Sequence, residues 1–159
     1  MIVTAHPLTP EVFAPYGQVL MGTGEGPERR NFAADMENLR IDAKPNMTFM
    51  RVALSNLPVC IEILEQHPCS NQAFIPLNGT GQLVVVCPST PDGKPMVEKL
   101  TAFVSTGSQA INYNAKVWHA PRMAISEPGE FIMFRWDDGG PEDTIHYEID
   151  KEVIIEPKV

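Results

Sequence analysis

Side chains that bind metals or move protons occur close together in two short stretches of the chain. Glu65, His67 and Gln72 lie in the first stretch, and His119 lies in the second. The sequence has only four histidines, and the other two lie near the termini, where we expect them to be solvated. Carboxylate and imidazole groups together can ligate a divalent cation or act as general acid and base. These four residues are therefore the candidates for chemistry.

Alternation along the neighbouring strands directs the four candidates inward. Glu65 and His67 share the face of the apolar residues in the predicted strand 59–66, Gln72 shares its parity with an apolar neighbour, and so does His119. Polar groups on an interior face are costly unless they are paired, hydrogen-bonded or metal-bound. One histidine at a strand end is more often a structural residue. Four ligand-type groups on inward faces favour a shared site.

Two arginines are also predicted to lie on interior faces. Arg51 shares its parity with Met47, and Arg135 shares its parity with Met133. An arginine among inward-facing apolar residues needs an anion. The alternative is that the face is assigned wrongly and that each arginine lies at the surface. Tyr113 and Trp118 are interpreted as packing residues, with the lining of a pocket as the alternative.

Short segments rich in β-forming residues dominate the rest of the chain and predict an all-β sandwich or barrel with one or two short helices. A helix is predicted to begin at Thr9-Pro10-Glu11, where a capping hydroxyl precedes proline and an acid. Residues 22–32 are interpreted as a loop, and residues 142–156 as a further strand. No linker interrupts the chain, so we expect one domain over residues 1–159. The predicted strands are residues 47–54, 59–66, 82–87, 100–105, 115–119, 123–126 and 131–136.

Composition excludes several classes of function. The 159 residues are 43% hydrophobic and carry 20 acidic against 12 basic side chains, for a net charge of −8. The basic residues do not cluster, so a nucleic acid is not an expected partner. No signal peptide and no apolar run of membrane-spanning length is apparent. The three cysteines lack a metal-binding or disulfide spacing, which favours a reduced, cytoplasmic protein.

The spacing of these residues resembles the two motifs of the cupin superfamily. In the first motif, Glu65 stands where the superfamily has a histidine, His67 is retained and Gln72 replaces a glutamate. The second motif ends in His119, with Lys116 where a glycine is usual. The resemblance implies a cupin double-stranded β-helix, the jelly-roll barrel. Its metal positions fall on Glu65, His67, Gln72 and His119.

Longer phrases resemble the ureidoglycolate lyase family specifically, among them LEQHPCSNQAFIPLNG and NYNAKVWHAP. The resemblance implies an enzyme, commonly a homodimer, that cleaves the small anion ureidoglycolate to glyoxylate and urea in allantoin degradation. It leaves open whether a divalent metal (nickel, zinc or manganese) is bound, or whether the same residues bind substrate directly.

The reaction gives each candidate residue a role under this resemblance. Glu65 or His119 would take the hydroxyl proton of the substrate. Arg51 would hold the substrate carboxylate, and Gln72 and Tyr113 would contact the urea group, with Trp118 as a further wall of the pocket. Two alternatives remain: an amidohydrolase that releases ammonia and carbon dioxide from the same substrate, and a non-catalytic cupin that binds a small organic acid.

Overall fold

A computed structural model describes residues 1–158, and strands account for most of its regular structure. A single α-helix, α1 (Pro10–Phe13), and three short 3-10 helices, Ala33–Asp35, Val97–Lys99 and Pro141–Asp143, lie between strands. The strands are β1 (Ile2–Pro7), β2 (Gly17–Leu20), β3 (Lys44–Val52), β4 (Val59–Cys60), β5 (Ile63–Gln66), β6 (Gln72–Pro76), β7 (Gln82–Cys87), β8 (Thr101–Val104), β9 (Ala110–Tyr113), β10 (Trp118–His119), β11 (Met123–Ala124), β12 (Gly129–Asp137), β13 (Ile145–Glu148) and β14 (Ile154–Pro157).

Helix α1 begins where the sequence predicts. The Thr9 hydroxyl accepts a hydrogen bond from the Val12 amide at 3.4 Å, and Pro10 occupies the first turn. Phe13, in the last position of the helix, is fully buried. The helix therefore anchors the N-terminal part of the chain to the core through one aromatic side chain.

The strands form two sheets. The larger sheet has the order β13-β5-β10-β7-β8-β1-β14-β4, with β11 also paired to β7. The smaller sheet has the order β2-β9-β6-β12-β3. The two sheets face each other as a cupin-type β-sandwich, which confirms the predicted all-β class. Within residues 1–158, no helix has the length and apolar character needed to cross a membrane.

The apolar residues divide into two cores. One core combines side chains from both sheets and so lies between them: Phe74 and Ile111 come from the smaller sheet, and Val84 and Phe103 come from the larger sheet. The second is built from the larger sheet and its flanking segments, and includes Leu64, Val85 and Trp118. The larger sheet is therefore buried on both faces. This explains why every residue of β7 is buried, although half of them face each core.

Two features of the strand pattern differ from the sequence prediction. The predicted strand 59–66 is broken: β4 pairs with β14, whereas β5 pairs with β13 and β10. Ile61, at the break, joins the second core rather than the face of Glu65. Strands β1, β2, β6 and β9 were not predicted. The parallel pairing of β1 with β8 and β14 joins remote segments, which no local pattern reports.

Candidate functional site

Four of the sequence-predicted residues meet between the two sheets. Glu65 on β5 and His119 on β10 are register partners on the inner face of the larger sheet. His67 lies just beyond the end of β5, and Gln72 projects from β6 of the facing sheet. His67, Gln72 and His119 are buried, and the side chain of Glu65 is 17% exposed. We refer to Glu65, His67, Gln72 and His119 as the interior cluster.

The polar atoms of the interior cluster converge on one point. Nε2 of His119 lies 2.9 Å from Oε1 of Gln72 and 3.3 Å from Oε1 of Glu65. Nε2 of His67 lies 4.0 Å from the same Glu65 oxygen. Ligand atoms of Glu65, His67 and His119 all lie within 4.8 Å of one another. The structure thus brings these four groups together inside the fold, and their roles stay predictions.

The tautomer of His67 is set by the backbone. Its Nδ1 lies 2.7 Å from the carbonyl oxygen of Asp143, which can only accept, so Nδ1 carries the proton. Nε2 is then left with its lone pair. That atom is buried and has no hydrogen-bond partner in the described chain. A ring held by a backbone carbonyl at one nitrogen, with the other nitrogen free, is the usual arrangement of a metal-ligating histidine.

His119 is held in the same way. Its Nδ1 lies 2.9 Å from the carbonyl oxygen of Val117 and donates to it. In the neutral ring, Nε2 therefore presents a lone pair towards the Glu65 carboxylate. Two acceptors at 3.3 Å repel each other, so this contact requires either a proton on Nε2 or a cation between the two residues.

The donor set of the interior cluster fits a divalent metal. Metal ligands bond at about 2 Å from the ion, so the ligand atoms lie within about 4 Å of one another. The cluster offers two imidazole nitrogens, one carboxylate and one amide oxygen. One of these donor atoms, Nε2 of His67, is buried without a hydrogen-bond partner in the described chain and is therefore available to ligate a metal. This set suits zinc, nickel or manganese.

The charges in the interior cluster keep Glu65 ionised and His67 neutral. Burial opposes ionisation of Glu65, but the hydrogen bond and charge of His119, aided by His67 and His146, outweigh it and lower the pKa of Glu65 to about 2. Burial and the charge of His119 lower the pKa of His67 to about 4, against the opposing effect of the Asp143 carbonyl. At neutral pH, Glu65 is therefore an anion and His67 is neutral.

Tyr113 supports the interior cluster from behind. Its ring stacks on the ring of His119, with 4.1 Å between centroids and 13° between planes. Its hydroxyl accepts a hydrogen bond from Arg122 at 3.0 Å. Burial raises the pKa of Tyr113, although Arg122 opposes the shift, so the phenol keeps its proton. The structure thus brings Tyr113 into contact with the interior cluster through its ring.

The turn before His119 ties the two stretches of the cluster together. Lys116 has a φ of 68°, the left-handed region that glycine prefers, at the position where cupins usually have glycine. Its amide donates to the His67 carbonyl at 3.0 Å, and its carbonyl accepts from Nε2 of Gln66 at 2.7 Å. The lysine therefore adopts the backbone shape of the missing glycine and aligns β10 beside β5.

The prediction that Arg51 faces inward is wrong. Its side chain is 71% exposed and pairs with Glu130 at 2.6 Å on the outer face of the smaller sheet. Met47 and Phe49, which share its face, are also exposed. Alternation grouped the three residues correctly but could not tell which face of the strand is the interior, because this outer face is also apolar.

Trp118 does not reach the interior cluster either. It precedes His119 on β10, so its side chain takes the opposite face and packs in the second core. Its indole Nε1 donates to the Gly93 carbonyl at 2.9 Å, and its ring meets the edge of Tyr147. The interpretation of Trp118 as a packing residue is therefore correct, and the alternative, that it lines the substrate site, is wrong.

Arg135 faces the interior, as its parity predicts. Its Nε lies 2.6 Å from Oδ1 of Asp137, and its Nη1 donates to the Thr144 hydroxyl at 3.0 Å. The guanidinium also lies beside His67, at 3.2 Å from Nδ1. Its charge already has a carboxylate partner, so Arg135 does not require a bound anion.

Sequence reasoning missed Arg122 and Asp143. Arg122 is only 9% exposed and enters the space between the sheets from the irregular connection of β10 to β11. Alternation counted from His119 would direct Arg122 to the other face, so the pattern gives the wrong answer. The available signal was a basic residue three positions after a candidate ligand. Asp143 acts through its backbone carbonyl, which no residue type reveals.

A two-sheet cupin sandwich with convergent carboxylate, imidazole and amide groups defines a cupin-type site for a metal or a small polar ligand. The comparisons with known proteins give the family. The model of the ureidoglycolate lyase family matches residues 1–156, and the chain belongs to that family.

Curated relatives agree over nearly their full lengths. The chain is 30% identical to a ureidoglycolate lyase of Azotobacter vinelandii, over 97% of this chain and 96% of that protein. It is 33% identical to a ureidoglycolate lyase of Pseudomonas syringae pv. tomato, over 98% and 95%. A ureidoglycolate lyase of Mesorhizobium japonicum is 35% identical, over 91% and 93%.

Proposed function

We propose that this chain is a ureidoglycolate lyase that acts as one domain over its whole length and releases glyoxylate and urea. The observation that carries the proposal is the interior cluster: a buried carboxylate and two oriented imidazoles inside a member of this family. Ureidoglycolate has a carbinol carbon bonded to a hydroxyl, a carboxylate and a urea nitrogen. Cleavage requires loss of the hydroxyl proton and protonation of the departing nitrogen.

With no metal bound, Glu65 and His119 divide the proton transfers between them. The substrate hydroxyl gives its proton to one of these groups, the C–N electron pair leaves with nitrogen, and the carbon–oxygen double bond of glyoxylate forms. The nitrogen takes up a proton, and urea departs. A contact of 3.3 Å between Glu65 and His119 allows a proton to pass from one to the other at the same site.

Gln72 and Tyr113 orient these groups and the substrate. The Gln72 amide lies 2.9 Å from His119 and offers further hydrogen-bonding capacity to the urea group. The Tyr113 ring fixes the plane of the His119 imidazole by stacking. Both residues therefore restrict the geometry in which a proton is taken and returned.

A divalent metal (nickel, zinc or manganese) would be held by Glu65, His67 and His119, with Gln72 as a further ligand. When bound, it supplies a positive charge that acidifies a coordinated hydroxyl. The unpartnered Nε2 of His67 is the observation that supports its presence.

The proposal extends to the setting of the enzyme. We propose a homodimer in the cytoplasm that takes a small anionic substrate. Three unpaired cysteines agree with a reducing compartment. An apolar patch on the outer face of the smaller sheet supports the dimer. This outer patch consists of Met47, Phe49, Ile75, Ile132 and Phe134.

Product analysis tests the function. Purified protein is incubated with ureidoglycolate, with and without a chelator, and urea, glyoxylate and ammonia are measured above the spontaneous rate. Urea equimolar with glyoxylate is the expected result. Ammonia without urea would indicate the amidohydrolase, and saturable binding without turnover would indicate a non-catalytic cupin.

A further inference from the structure

Arg122 is a buried cation without a carboxylate partner. Every other arginine that the structure buries wholly or partly in the chain's described part, namely Arg40 and Arg135, lies within 4.0 Å of an acid. Arg122 instead contacts neutral groups: its Nη1 donates to Oε1 of Gln82 at 2.6 Å, and its Nη2 donates to the Tyr113 hydroxyl at 3.0 Å. Burying an uncompensated charge is costly, so a site that retains one favours an anion.

Several N–H groups of the Arg122 guanidinium lack a hydrogen-bond acceptor in the described chain. Arginine carries five N–H donors, and two of them are used by Gln82 and Tyr113. The buried Nε has no hydrogen-bond partner in the described chain. The carbon of the guanidinium lies 4.0 Å from the Phe74 ring centroid, which fixes its plane. A fixed planar fork with free N–H groups matches the geometry of a carboxylate.

The position of Arg122 connects it to the interior cluster. Its Nη2 holds the Tyr113 hydroxyl, and the Tyr113 ring stacks on His119. A cleft of about 210 Å³ between β5 and the β10–β11 connection is lined by Arg122 together with Ile63. The guanidinium is therefore one side chain away from the proposed catalytic histidine, and the residue also lines an open cleft.

We propose that Arg122 binds the carboxylate of the substrate, in the role that sequence parity assigned to Arg51. The inference rests on the proposed function for the identity of the substrate, a small 2-hydroxy carboxylate. The binding of an anion at Arg122 can be measured without turnover. The experiment can therefore contradict the carboxylate site without contradicting the lyase function, and the reverse.

The experiment compares two probes of equal size, glycolate and its neutral amide, glycolamide. Their dissociation constants are measured by calorimetry for the intact protein, for Arg122→Gln and for the exposed control Arg51→Gln. Loss of a charge-assisted hydrogen bond to carboxylate weakens binding by about 10- to 100-fold. We expect that loss for glycolate with Arg122→Gln alone, while glycolamide binding stays the same in all three proteins.

Steady-state kinetics tests whether the anion site at Arg122 is also the site that binds the substrate carboxylate. Arg122→Gln is expected to raise the KM for ureidoglycolate about 10-fold or more and to change kcat less, because carboxylate binding is common to ground and transition states. Equal glycolate affinity in Arg122→Gln would overturn the proposal. So would weaker glycolate binding with an unchanged KM, since the anion would then lie outside the catalytic site.

A folding control excludes the possibility that a variant loses binding because it is unfolded. Circular dichroism and thermal unfolding establish that each variant is folded. If Arg122→Gln is not, Arg122→Lys retains the charge but lacks the planar fork and the Nε donor. Glycolate binding is then expected to weaken about 5-fold or more, given the loss of the bidentate geometry. Unchanged affinity in folded Arg122→Lys would contradict carboxylate binding by the fork.

Discussion

At the scale of single residues, the chemistry of this protein depends on which atoms of the interior cluster lack partners. The Nδ1 atoms of His67 and His119 donate to backbone carbonyls, which leaves both Nε2 atoms facing Glu65. This arrangement creates strong mutual dependence: removing one group alters the charge state of the others.

Substitution of Glu65 or His119 tests their proposed roles. Glu65→Gln and His119→Asn preserve shape but remove the group that takes the proton. We expect the rate of urea release to fall by about 100- to 10,000-fold in each, as for other losses of general acid–base catalysis. Arg51→Gln is the matched control, because Arg51 is exposed and paired with Glu130, and its rate is expected to stay near that of the unsubstituted protein. Unchanged turnover in both cluster variants would disprove the site.

The buried, neutral His67 predicts a pH-dependent stability. Its pKa is about 4 in the folded protein, against about 6.5 when unfolded, so between these values the unfolded state binds more protons. The free energy of unfolding of metal-free protein should therefore rise from pH 4 to 6.5, by up to about 3 kcal/mol.

Urea denaturation across this pH range, with chelator present, measures the effect. His67→Gln should lose most of the rise, because glutamine does not titrate. Glu65 acts in a separate window: its lowered pKa gives stability that is present above pH 4.5 and lost towards pH 2. An equal pH dependence in His67→Gln would contradict the assignment to His67.

At the scale of elements, short loops position the site as much as the strands do. The connection after β12 supplies the Asp143 carbonyl to His67, and Arg40 holds this connection through ion pairs of 2.8 Å to Asp138 and 2.6 Å to Asp143. The turn between β9 and β10 holds the carbonyl of His67 through the Lys116 amide. The two loops therefore hold the same residue, one through its ring and the other through its backbone.

The left-handed backbone conformation of Lys116 predicts how substitutions at this position change the stability of the protein. A non-glycine residue there costs about 1 kcal/mol, which glycine avoids. We expect Lys116→Gly to change the free energy of unfolding by about 0 to +1 kcal/mol, because the greater entropy of the unfolded chain offsets part of the gain. Lys116→Val should be clearly destabilising, since a β-branched side chain fits this region worst.

Chemical denaturation of the three proteins gives the order of stability. The order glycine, lysine, valine is expected. A valine variant as stable as the lysine protein would mean that residue 116 does not hold a left-handed backbone in solution.

At the scale of the whole molecule, both faces of the smaller sheet are apolar, but only the inner face is covered by the rest of the chain. The inner face closes over the interior cluster, whereas the outer patch leaves Met47 71% and Phe49 54% exposed. Contiguous exposed apolar surface of this kind marks protein–protein contact. The outer patch is therefore the expected dimer surface.

Sedimentation or light scattering tests the dimer. We expect the unsubstituted protein to have twice the chain mass, and Phe49→Asp to shift it towards the monomer because a buried unpaired charge destabilises the contact. Ile41→Asp is the control, since Ile41 is fully exposed and lies outside the patch. A dimer that is unaffected by Phe49→Asp would place the interface elsewhere, and a monomeric unsubstituted protein would exclude the dimer.

The sequence by itself determined the all-β class, the family, and the inward direction of Glu65, His67, Gln72 and His119. It could do so because alternation is a local property and holds over the few residues on either side of each candidate. Over a longer range it failed, since the apolar face assigned to residues 59–66 is broken at Ile61. The motif spacing added the expectation that the four residues meet.

Only the tertiary structure decided which arginine enters the site. Arg51 and Arg135 share the same kind of apolar parity, yet Arg51 is exposed on the outer face and Arg135 is partly buried on the inner face, because the outer face of the smaller sheet is apolar as well. Arg122 enters from an irregular connection, where no period applies. Alternation reports which residues share a face; which face becomes the interior depends on how remote strands pair, and that is a property of the folded chain.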